Sequence, residues 1–191
     1  MDRIAAARAI VDFLRALGHE PVGDLEGTGE RVADAWADDL LEGESIDAGA
    51  VLREGAIDDD GGVEHGLVVV RDLAVTTMCP HHLLPALGTA TVAYLPDARI
   101  AGIGTLAHVV DVLSRRLTLQ ERIGSEVVSL LVSELGARGA YCRLSLTHTC
   151  LVARGERKAG AVVETTAVSG TLARPGGDRD LLVASLAAGS R

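Results

Sequence analysis

The sequence predicts an α+β protein in which helices pack on one face of an antiparallel sheet, with a helical arm in front. Two observations carry this prediction. From residue 66 onward, runs rich in Val and Thr alternate with amphipathic runs in the order β-β-α-α-β-β, and short, hairpin-like links join the strands. This order favours an antiparallel sheet with its helices on one side. We therefore divide the chain into an N-terminal helical arm, residues 1–65, and an α/β body, residues 66–191.

The N-terminal arm is predicted to contain two helices. Apolar residues recur at helical spacing over residues 4–17, and Gly18 is placed to end this helix. A second helix is expected over about residues 29–41, ended by Gly43. The rest of the arm is acidic and rich in glycine, with a turn expected at residues 58–62.

Each element of the body follows from the spacing of its apolar residues. Runs rich in Val and Thr are read as strands, and apolar residues repeated every three or four positions are read as helices. A final amphipathic segment is expected to form a terminal helix. The expected strands are 66–78, 86–95, 140–153 and 161–172, and the expected helices are 106–116, 119–135 and 178–186.

Composition narrows the classes of function. A hydrophobic share of 48% is ample for a core, but an aromatic share of 2% means that Ala, Val, Leu and Ile must build it. The net charge of −9 argues against binding to nucleic acid or to an anionic membrane. Three cysteines, no signal peptide and no long apolar run predict a cytoplasmic chain without a membrane span.

Two cysteines and a histidine have the composition of a catalytic metal site. Cys79 and His82 form a C-x-x-H pair after an apolar run, and Cys150 follows about seventy residues later. Catalytic zinc sites use three protein ligands and leave one position for water, which predicts a metal-activated water aimed at a carbon electrophile. His81 is placed to act as an acid or base. The alternative is that the cysteines are buried apolar residues, as we expect for Cys142, and that the histidine pair lies on an exposed loop.

A second segment has two interpretations. The run from Thr118 to Glu121 fits a capping box, in which the Thr and Glu side chains bond the backbone at the start of a helix. The pattern alone favours this structural interpretation. A carboxylate at Glu121 would otherwise be available to accept two N–H donors from a guanine edge.

Several motifs, in order and with similar gaps, resemble those of the GTP cyclohydrolase I family. The resemblance extends from the N-terminal helices to the C-terminal helix. It implies the tunnelling fold (T-fold), in which β-β-α-α-β-β subunits join their sheets around an axis, and a decamer with active sites at subunit interfaces. The motifs are Cys79 to Pro85, Ser114 to Arg122, His148 to Cys150, and Arg154-Gly155.

The resemblance also implies a reaction, a cofactor and a site. The reaction is the conversion of GTP and water into dihydroneopterin triphosphate and formate, and the cofactor is zinc. We expect activated water to attack C8 of the guanine ring while a histidine protonates the ring nitrogen. By motif position, Cys79, His82 and Cys150 would bind zinc, His81 and His148 would be catalytic, Gln120 and Glu121 would contact the purine, and Arg154 would contact the triphosphate.

Three positions depart from the family pattern. Pro80 stands where the family usually has Glu, and Thr105 and His108 stand where the family usually has a lysine and an arginine facing phosphate. Losing two such cations should weaken triphosphate binding by a few kcal/mol, taking roughly 1.5–3 kcal/mol for each charge-assisted hydrogen bond. His108, when protonated, and Arg157 with Lys158 are candidates to compensate.

The departures leave alternatives to a GTP cyclohydrolase. One is a relative that opens the ring of a purine with fewer phosphates in specialised metabolism. Another is a non-catalytic, purine-binding paralogue, against which the intact Cys79, His82 and Cys150 speak. A reductase on the same fold is disfavoured for the same reason.

Overall fold

The computed structural model describes residues 1–58 and 65–188. Within these residues, seven α-helices and six strands alternate with short 3₁₀ and π turns. In chain order they are α1 (Arg3–Ala16), α2 (Thr28–Ala35), α3 (Ala48–Glu54), β1 (Ala56–Asp58), β2 (Val68–Met78), β3 (Pro85–Leu95), β4 (Arg99–Ala101), α4 (Ile103–Ser114), α5 (Gln120–Ser133), β5 (Gly139–His148), α6 (Thr149–Val152), β6 (Val163–Gly170) and α7 (Gly177–Ala188).

Four strands form one antiparallel sheet in the order β2-β3-β5-β6. A register shift between Val70 and Leu73 interrupts the β2–β3 ladder, and Asp72 there has a positive φ of 55°. Beyond it the pairing is regular, so that Thr77 lies opposite Ala86 and Ala86 opposite His148. The predicted β-β-α-α-β-β order and the antiparallel pairing are confirmed, and they are those of a T-fold subunit.

The main core lies between this sheet and helices α4 and α5. It is aliphatic, as the low aromatic content predicts. The residues of β3 alternate between the two faces of the sheet. Val92 and Tyr94 face the main core, while Ala93 and Leu95 face a smaller cluster that Leu182 of α7 joins. The predicted helices on one face are therefore confirmed, and the terminal helix covers part of the opposite face.

The first helix forms as predicted, and the second is shorter. The Asp2 carboxylate caps α1 by accepting from the Ala5 amide, and Gly18 follows the helix with φ of +88°. The expected second helix ends at α2 and continues as a π-helical turn over Trp36–Leu40. Gly43 does more than end a helix, since a Cβ there would lie 2.0 Å from the Val112 carbonyl oxygen.

The segment predicted to be irregular contains a helix and a strand. The Asp47 carboxylate accepts from the amides of Gly49 and Ala50 and so begins α3. Leu52 of α3 is fully buried in the main core, and β1 pairs with β4. Both elements are too short for their spacing to predict them. The turn expected at 58–62 lies almost wholly outside the described residues, and the boundary at residue 65 stays a prediction.

Two arginines join this N-terminal segment to the body. Arg116 donates through its guanidinium to the carbonyl oxygens of Gly43, Val112 and Ile46 at 2.9–3.1 Å. Arg115 donates to the Asp39 carbonyl at 2.7 Å. Among the helices that the structure describes, none is long and apolar enough to cross a membrane.

Candidate active site

The C-x-x-H segment forms a tight turn between β2 and β3. The Cys79 amide donates to the Leu84 carbonyl at 3.0 Å, and the Leu83 amide donates back to the Cys79 carbonyl at 2.9 Å. Leu83 adopts a left-handed φ of 52°, which is uncommon for a bulky residue and marks how tightly the chain reverses. As a result, the Cys79 Sγ and the His82 Nδ1 lie 3.9 Å apart.

The third candidate ligand comes from the other end of the body. The strand predicted over residues 140–153 ends at His148, where the single-turn helix α6 begins and carries Cys150. The Thr149 hydroxyl donates to the Pro85 carbonyl at 2.6 Å and ties α6 to the start of β3. The ligand atoms of Cys79, His82 and Cys150 all lie within 4.8 Å of one another.

The spacing of these three atoms suits a metal ion. Zinc lies about 2.3 Å from a thiolate sulfur and about 2.1 Å from an imidazole nitrogen, so tetrahedral ligand atoms lie about 3.5–3.8 Å apart. The observed separations need only a small contraction to reach those values. The donor set of two sulfurs and one nitrogen also matches a zinc site with an open position. The cluster can therefore hold a metal ion.

The thiols of Cys150 and Cys142 lie in different environments. Burial, followed by the neighbouring Cys79 thiol, raises the pKa of Cys150, while Arg154 lowers it slightly. Metal binding to such a pair must displace its protons, which couples affinity to pH. Cys142 lies fully buried in β5, and burial raises the pKa of its thiol to about 12, so its predicted place in the core is confirmed.

A cavity of about 200 Å³ opens beside the cluster. Residues from three parts of the chain line it: the C-x-x-H turn with the strand ends that flank it, the start of α5, and the end of β5 with α6. Of the ten residues predicted for the site, it brings together seven. Its lining includes Thr77, Cys79, His81, His82, Ala86, Thr118, Gln120, Glu121, His148 and Cys150.

The adjacent histidines His81 and His82 differ in their relation to the Cys-His-Cys cluster. Both are exposed, and their ring centroids lie 6.3 Å apart at an interplanar angle of 75°. Both line the cavity, but only His82 belongs to the Cys-His-Cys cluster. His81 is therefore the histidine of the pair that the cluster leaves free for a substrate.

Gln120 is buried, and both the nitrogen and the oxygen of its side-chain amide form hydrogen bonds. Only 3% of it is exposed, and its amide nitrogen donates to the Leu144 and Val163 carbonyls at 3.2 and 3.0 Å. Because the nitrogen is committed to two acceptors, the Gln120 oxygen must accept from His148 Nε2, 2.7 Å away. His148 therefore carries its hydrogen on Nε2, and Nδ1 is left for other partners. Gln120 contacts His148, a role that its position in the motif did not predict.

The capping-box interpretation of Glu121 is wrong. The N-cap of α5 is Leu119, and no side-chain cap hydrogen bond forms there within the described chain. Leu119 takes the cap position because α5 begins one residue later than the box requires. Glu121 is exposed on the first turn of α5 at the cavity, and its carboxylate has no hydrogen-bond or ion-pair partner within residues 1–58 and 65–188.

The predicted phosphate contacts lie outside the cavity. Arg154 and Lys158 are exposed on the loop that follows α6, where the Lys158 amide donates to the Leu151 carbonyl at 3.1 Å. Their side chains, and that of Arg157, form no ion pair with the described residues. His108 is exposed on α4 and does not line the cavity, while the Thr105 hydroxyl lies against α3, 3.5 Å from the Gly55 carbonyl.

Two cavity residues were missed from the sequence. Thr77 and Ala86 lie opposite each other in the β2–β3 ladder, and both are buried. Their positions follow from strand alternation, since Thr77 is two residues from both Val75 and Cys79. The sequence pattern predicts a strand here, but the cavity forms only when α5 and β5 pack beside this strand.

The chain is similar along most of its length to proteins of one family. A family profile described as GTP cyclohydrolase I matches residues 6–186. A protein of Leifsonia xyli subsp. xyli named GTP cyclohydrolase 1 is 36% identical over 182 residues, covering 95% of this chain and 94% of that protein. A protein of the same name from Chromobacterium violaceum is 40% identical over 161 residues, covering 83% of this chain and 75% of that protein.

A solved structure also resembles part of the chain. The apo form of an archaeosine synthase QueF-Like aligns with 56% of this chain and 97% of its own, with a TM-score of 0.47 and 18% sequence identity. This similarity is too low to bear on the site.

Proposed function

The chain belongs to the GTP cyclohydrolase I family, and on that premise we propose that it opens the guanine ring of GTP at C8, releases formate and forms dihydroneopterin triphosphate. It is a hydrolase of the GTP cyclohydrolase I type. The observation that best supports the chemistry is the convergence of Cys79, His82 and Cys150 with two further histidines on one cavity.

Zinc is the metal we propose for the cluster. Two thiolates and an imidazole within 4.8 Å of one another are soft donors that suit zinc better than magnesium or calcium, which prefer oxygen. A zinc ion bound by Cys79, His82 and Cys150 supplies a Lewis acid that makes water a nucleophile at neutral pH.

His81 is the proposed general acid and base. It lines the cavity beside the cluster without belonging to it, so its imidazole is available to a substrate. An imidazole can donate and accept a proton in turn, which lets it give a proton to the ring nitrogen and take one back. This exchange supports opening of the C8–N9 bond, after which a second hydrolysis releases formate.

His148 is proposed as the second catalytic histidine, with Gln120 holding it in place. The Gln120 amide is anchored to the backbone of both β5 and β6, so its oxygen is a fixed acceptor for the Nε2 hydrogen. Fixing one nitrogen as the donor determines that Nδ1 is the atom offered to other groups. We therefore propose that Gln120 acts on the substrate through His148.

Glu121 is proposed to recognise the guanine edge. Its carboxylate is unpaired within the described chain and lies on the first turn of α5 at the cavity. A carboxylate accepts two hydrogen bonds at once, which matches the adjacent N–H donors of guanine.

The triphosphate is proposed to bind Arg154 and Lys158, with a smaller contribution from His108. Arg154, Arg157 and Lys158 lie on one loop and have no ion-pair partner in the described residues, within a chain of net charge −9. Cations that are left unpaired near a cavity provide the local positive potential that an anionic substrate needs.

A decamer is the proposed assembly, working in the cytoplasm. The outer edges of β2 and β6 have no strand partner within the described residues, and such edges favour pairing with another chain. Joining β2 of one subunit to β6 of the next would close the sheets into a ring. A reducing cytoplasm would also keep the cluster thiols available for metal.

Incubation of the purified, zinc-loaded enzyme with GTP tests the proposed function directly. We expect about one formate per GTP consumed, with a pterin product whose oxidised form fluoresces. Cys150→Ser, prepared in the same way, is the matched inactive control. Release of neither formate nor pterin from GTP by the wild-type enzyme would contradict the proposal.

A further inference from the structure

Thr77 is a buried cavity residue with an unused hydroxyl. It lies near the end of β2, two residues before Cys79, and only 2% of it is exposed. Its Oγ1 has no hydrogen-bond partner in the part of the chain that the structure describes. The nearby Thr149 hydroxyl, by contrast, donates to the Pro85 carbonyl.

An unpaired buried hydroxyl has lost its hydrogen bonds to water without replacing them, which destabilises the fold. Thr165 and Thr171 share this property, so the orphan hydroxyl alone does not indicate a function. Thr77 differs from both because it lines the cavity that contains the Cys-His-Cys cluster. A ligand in that cavity can provide the missing partner.

The strand register shows which side of the cavity Thr77 occupies. Thr77 is paired with Ala86, and Ala86 with His148, so the three side chains form one row across β2, β3 and β5 on the same face. Paired residues have Cβ atoms about 4.5–5.5 Å apart, which places Thr77 and His148 about 10 Å apart on either side of Ala86. All three residues line the cavity.

The small residue between them creates the space. Ala86 is the β3 member of this row and carries only a methyl group, and it is buried where it lines the cavity. A planar ring lying over Ala86 would have the His148 imidazole along one edge and the Thr77 hydroxyl along the other. A hydroxyl both donates and accepts, so it suits the mixed N–H and nitrogen edges of a purine.

We propose that the Thr77 hydroxyl hydrogen-bonds the heterocycle of the bound nucleotide, on the side of the cavity opposite His148. This inference rests on the proposed function, because ring opening beside the Cys-His-Cys cluster requires the heterocycle to enter this cavity. Thr77 is then a substrate-contacting residue rather than a strand residue with a tolerated defect.

Thr77→Val tests the proposal, because valine has the shape of threonine and favours strands equally well. We expect kcat/KM for GTP to fall about tenfold, which corresponds to about 1.4 kcal/mol. The Tm should be unchanged or higher, since an unpaired buried hydroxyl has been removed. Zinc content should stay at the wild-type value.

Two further comparisons separate the hydroxyl from its surroundings. Thr77→Ser and Thr77→Ala both lose the methyl group and differ only in the hydroxyl, so Ser should be the more active by a similar factor. This pair decides the question even if the valine variant folds poorly. Thr165→Val is the matched control, because it removes an orphan buried hydroxyl from a strand residue outside the cavity and should keep full activity.

The outcomes are distinct. Wild-type kcat/KM in Thr77→Val, within about twofold, would overturn the proposal while leaving the proposed function intact. Equal losses in the Ser and Ala variants would overturn it too, since shape and not the hydroxyl would then matter. Failure of the wild-type enzyme itself to release formate from GTP would overturn both the function and this inference.

Discussion

Individual side chains carry the chemistry, and the role of Cys150 as a metal ligand can be tested most directly. Cys150→Ser replaces a soft thiolate with a hydroxyl, a much weaker zinc ligand, so most of the metal should be lost. Elemental analysis of the purified variant measures this against about one zinc per chain in the wild type. Cys142→Ala is the matched control, because it removes a thiol that lies in the core and not in the cluster. Full zinc occupancy in Cys150→Ser would refute the ligand assignment.

His81 separates proton transfer from metal binding. His81→Ala should keep its zinc, because the cluster does not include this residue. Turnover should fall by at least about a hundredfold, the lower end for general acid–base catalysis. Steady-state kinetics and elemental analysis on the same preparation measure both effects, with His19→Ala as a surface-histidine control. Loss of the metal together with the imidazole would mean that His81 and His82 have been exchanged.

The metal cluster was predictable from the sequence, while the environment of Gln120 was not. A C-x-x-H turn is a local feature, and a thiol on a distant segment completes a recognisable donor set. Gln120 acquires its role only when β5 and β6 bring two carbonyl groups and His148 around it. The capping box at Thr118 failed for a related reason, since a local pattern cannot say that the helix begins one residue later.

Long secondary-structure elements were predicted from the sequence, and short ones were missed. Strands β2 and β3 and helices α1, α4 and α5 appeared close to their expected bounds, because each spans enough residues for its periodicity to show. Helix α3 has only 7 residues and lies in an acidic, glycine-rich segment. Its burial at Leu52 depends on packing against helices α4 and α5, which no local pattern encodes.

The N-cap of α3 gives a prediction on stability and pH. Backbone hydrogen bonds from Ala50 and Gly49 lower the pKa of the Asp47 carboxyl in the folded protein. The ionised Asp47 carboxylate therefore stabilises the folded protein at pH values above the ordinary Asp pKa. This stabilisation is lost as the pH falls through the lowered pKa of the folded protein. Thermal melts of Asp47→Ala should show a lower Tm at neutral pH, with the difference from wild type shrinking in acid.

Asp47→Asn is the control for this cap. Asparagine caps helices about as well as aspartate but does not titrate, so its melting temperature should stay near the wild-type value at neutral pH. A Tm difference between Asp47→Ala and wild type that stays constant down to strongly acidic pH would contradict the carboxylate cap.

The chain as a unit has two strand edges to satisfy. If β2 and β6 pair between subunits, light scattering should report a large ring-like oligomer, and we expect a decamer. Activity should then fall on dilution to concentrations at which the assembly dissociates, since sites at subunit interfaces would be lost. A fully active monomer would refute both the assembly and the shared site.

Substrate choice depends on the balance of charge around the site. The resemblance implies that Thr105 and His108 stand where the family has cations, while Arg154, Arg157 and Lys158 have no ion-pair partners in the described chain. The ratio of kcat/KM for GTP to that for guanosine measures whether the loop cations make up for the missing ones. We expect base recognition to survive and the preference for triphosphate to be weakened, with a ratio that falls as added salt screens the charges.

Two values of this kcat/KM ratio would each identify the preferred substrate. A preference for GTP above about a thousandfold corresponds to about 4 kcal/mol and would show that the loop cations hold the triphosphate unaided. A ratio near one, with formate still released, would identify a less phosphorylated purine as a substrate. GMP provides the intermediate point between the two.

The loop after α6 carries the only lysine of the sequence. An amine-selective reagent therefore has a single side-chain target, Lys158, besides the amino terminus, and that target is exposed. Protection of Lys158 by inorganic triphosphate, read by mass spectrometry, would then report on where the phosphates lie without any turnover.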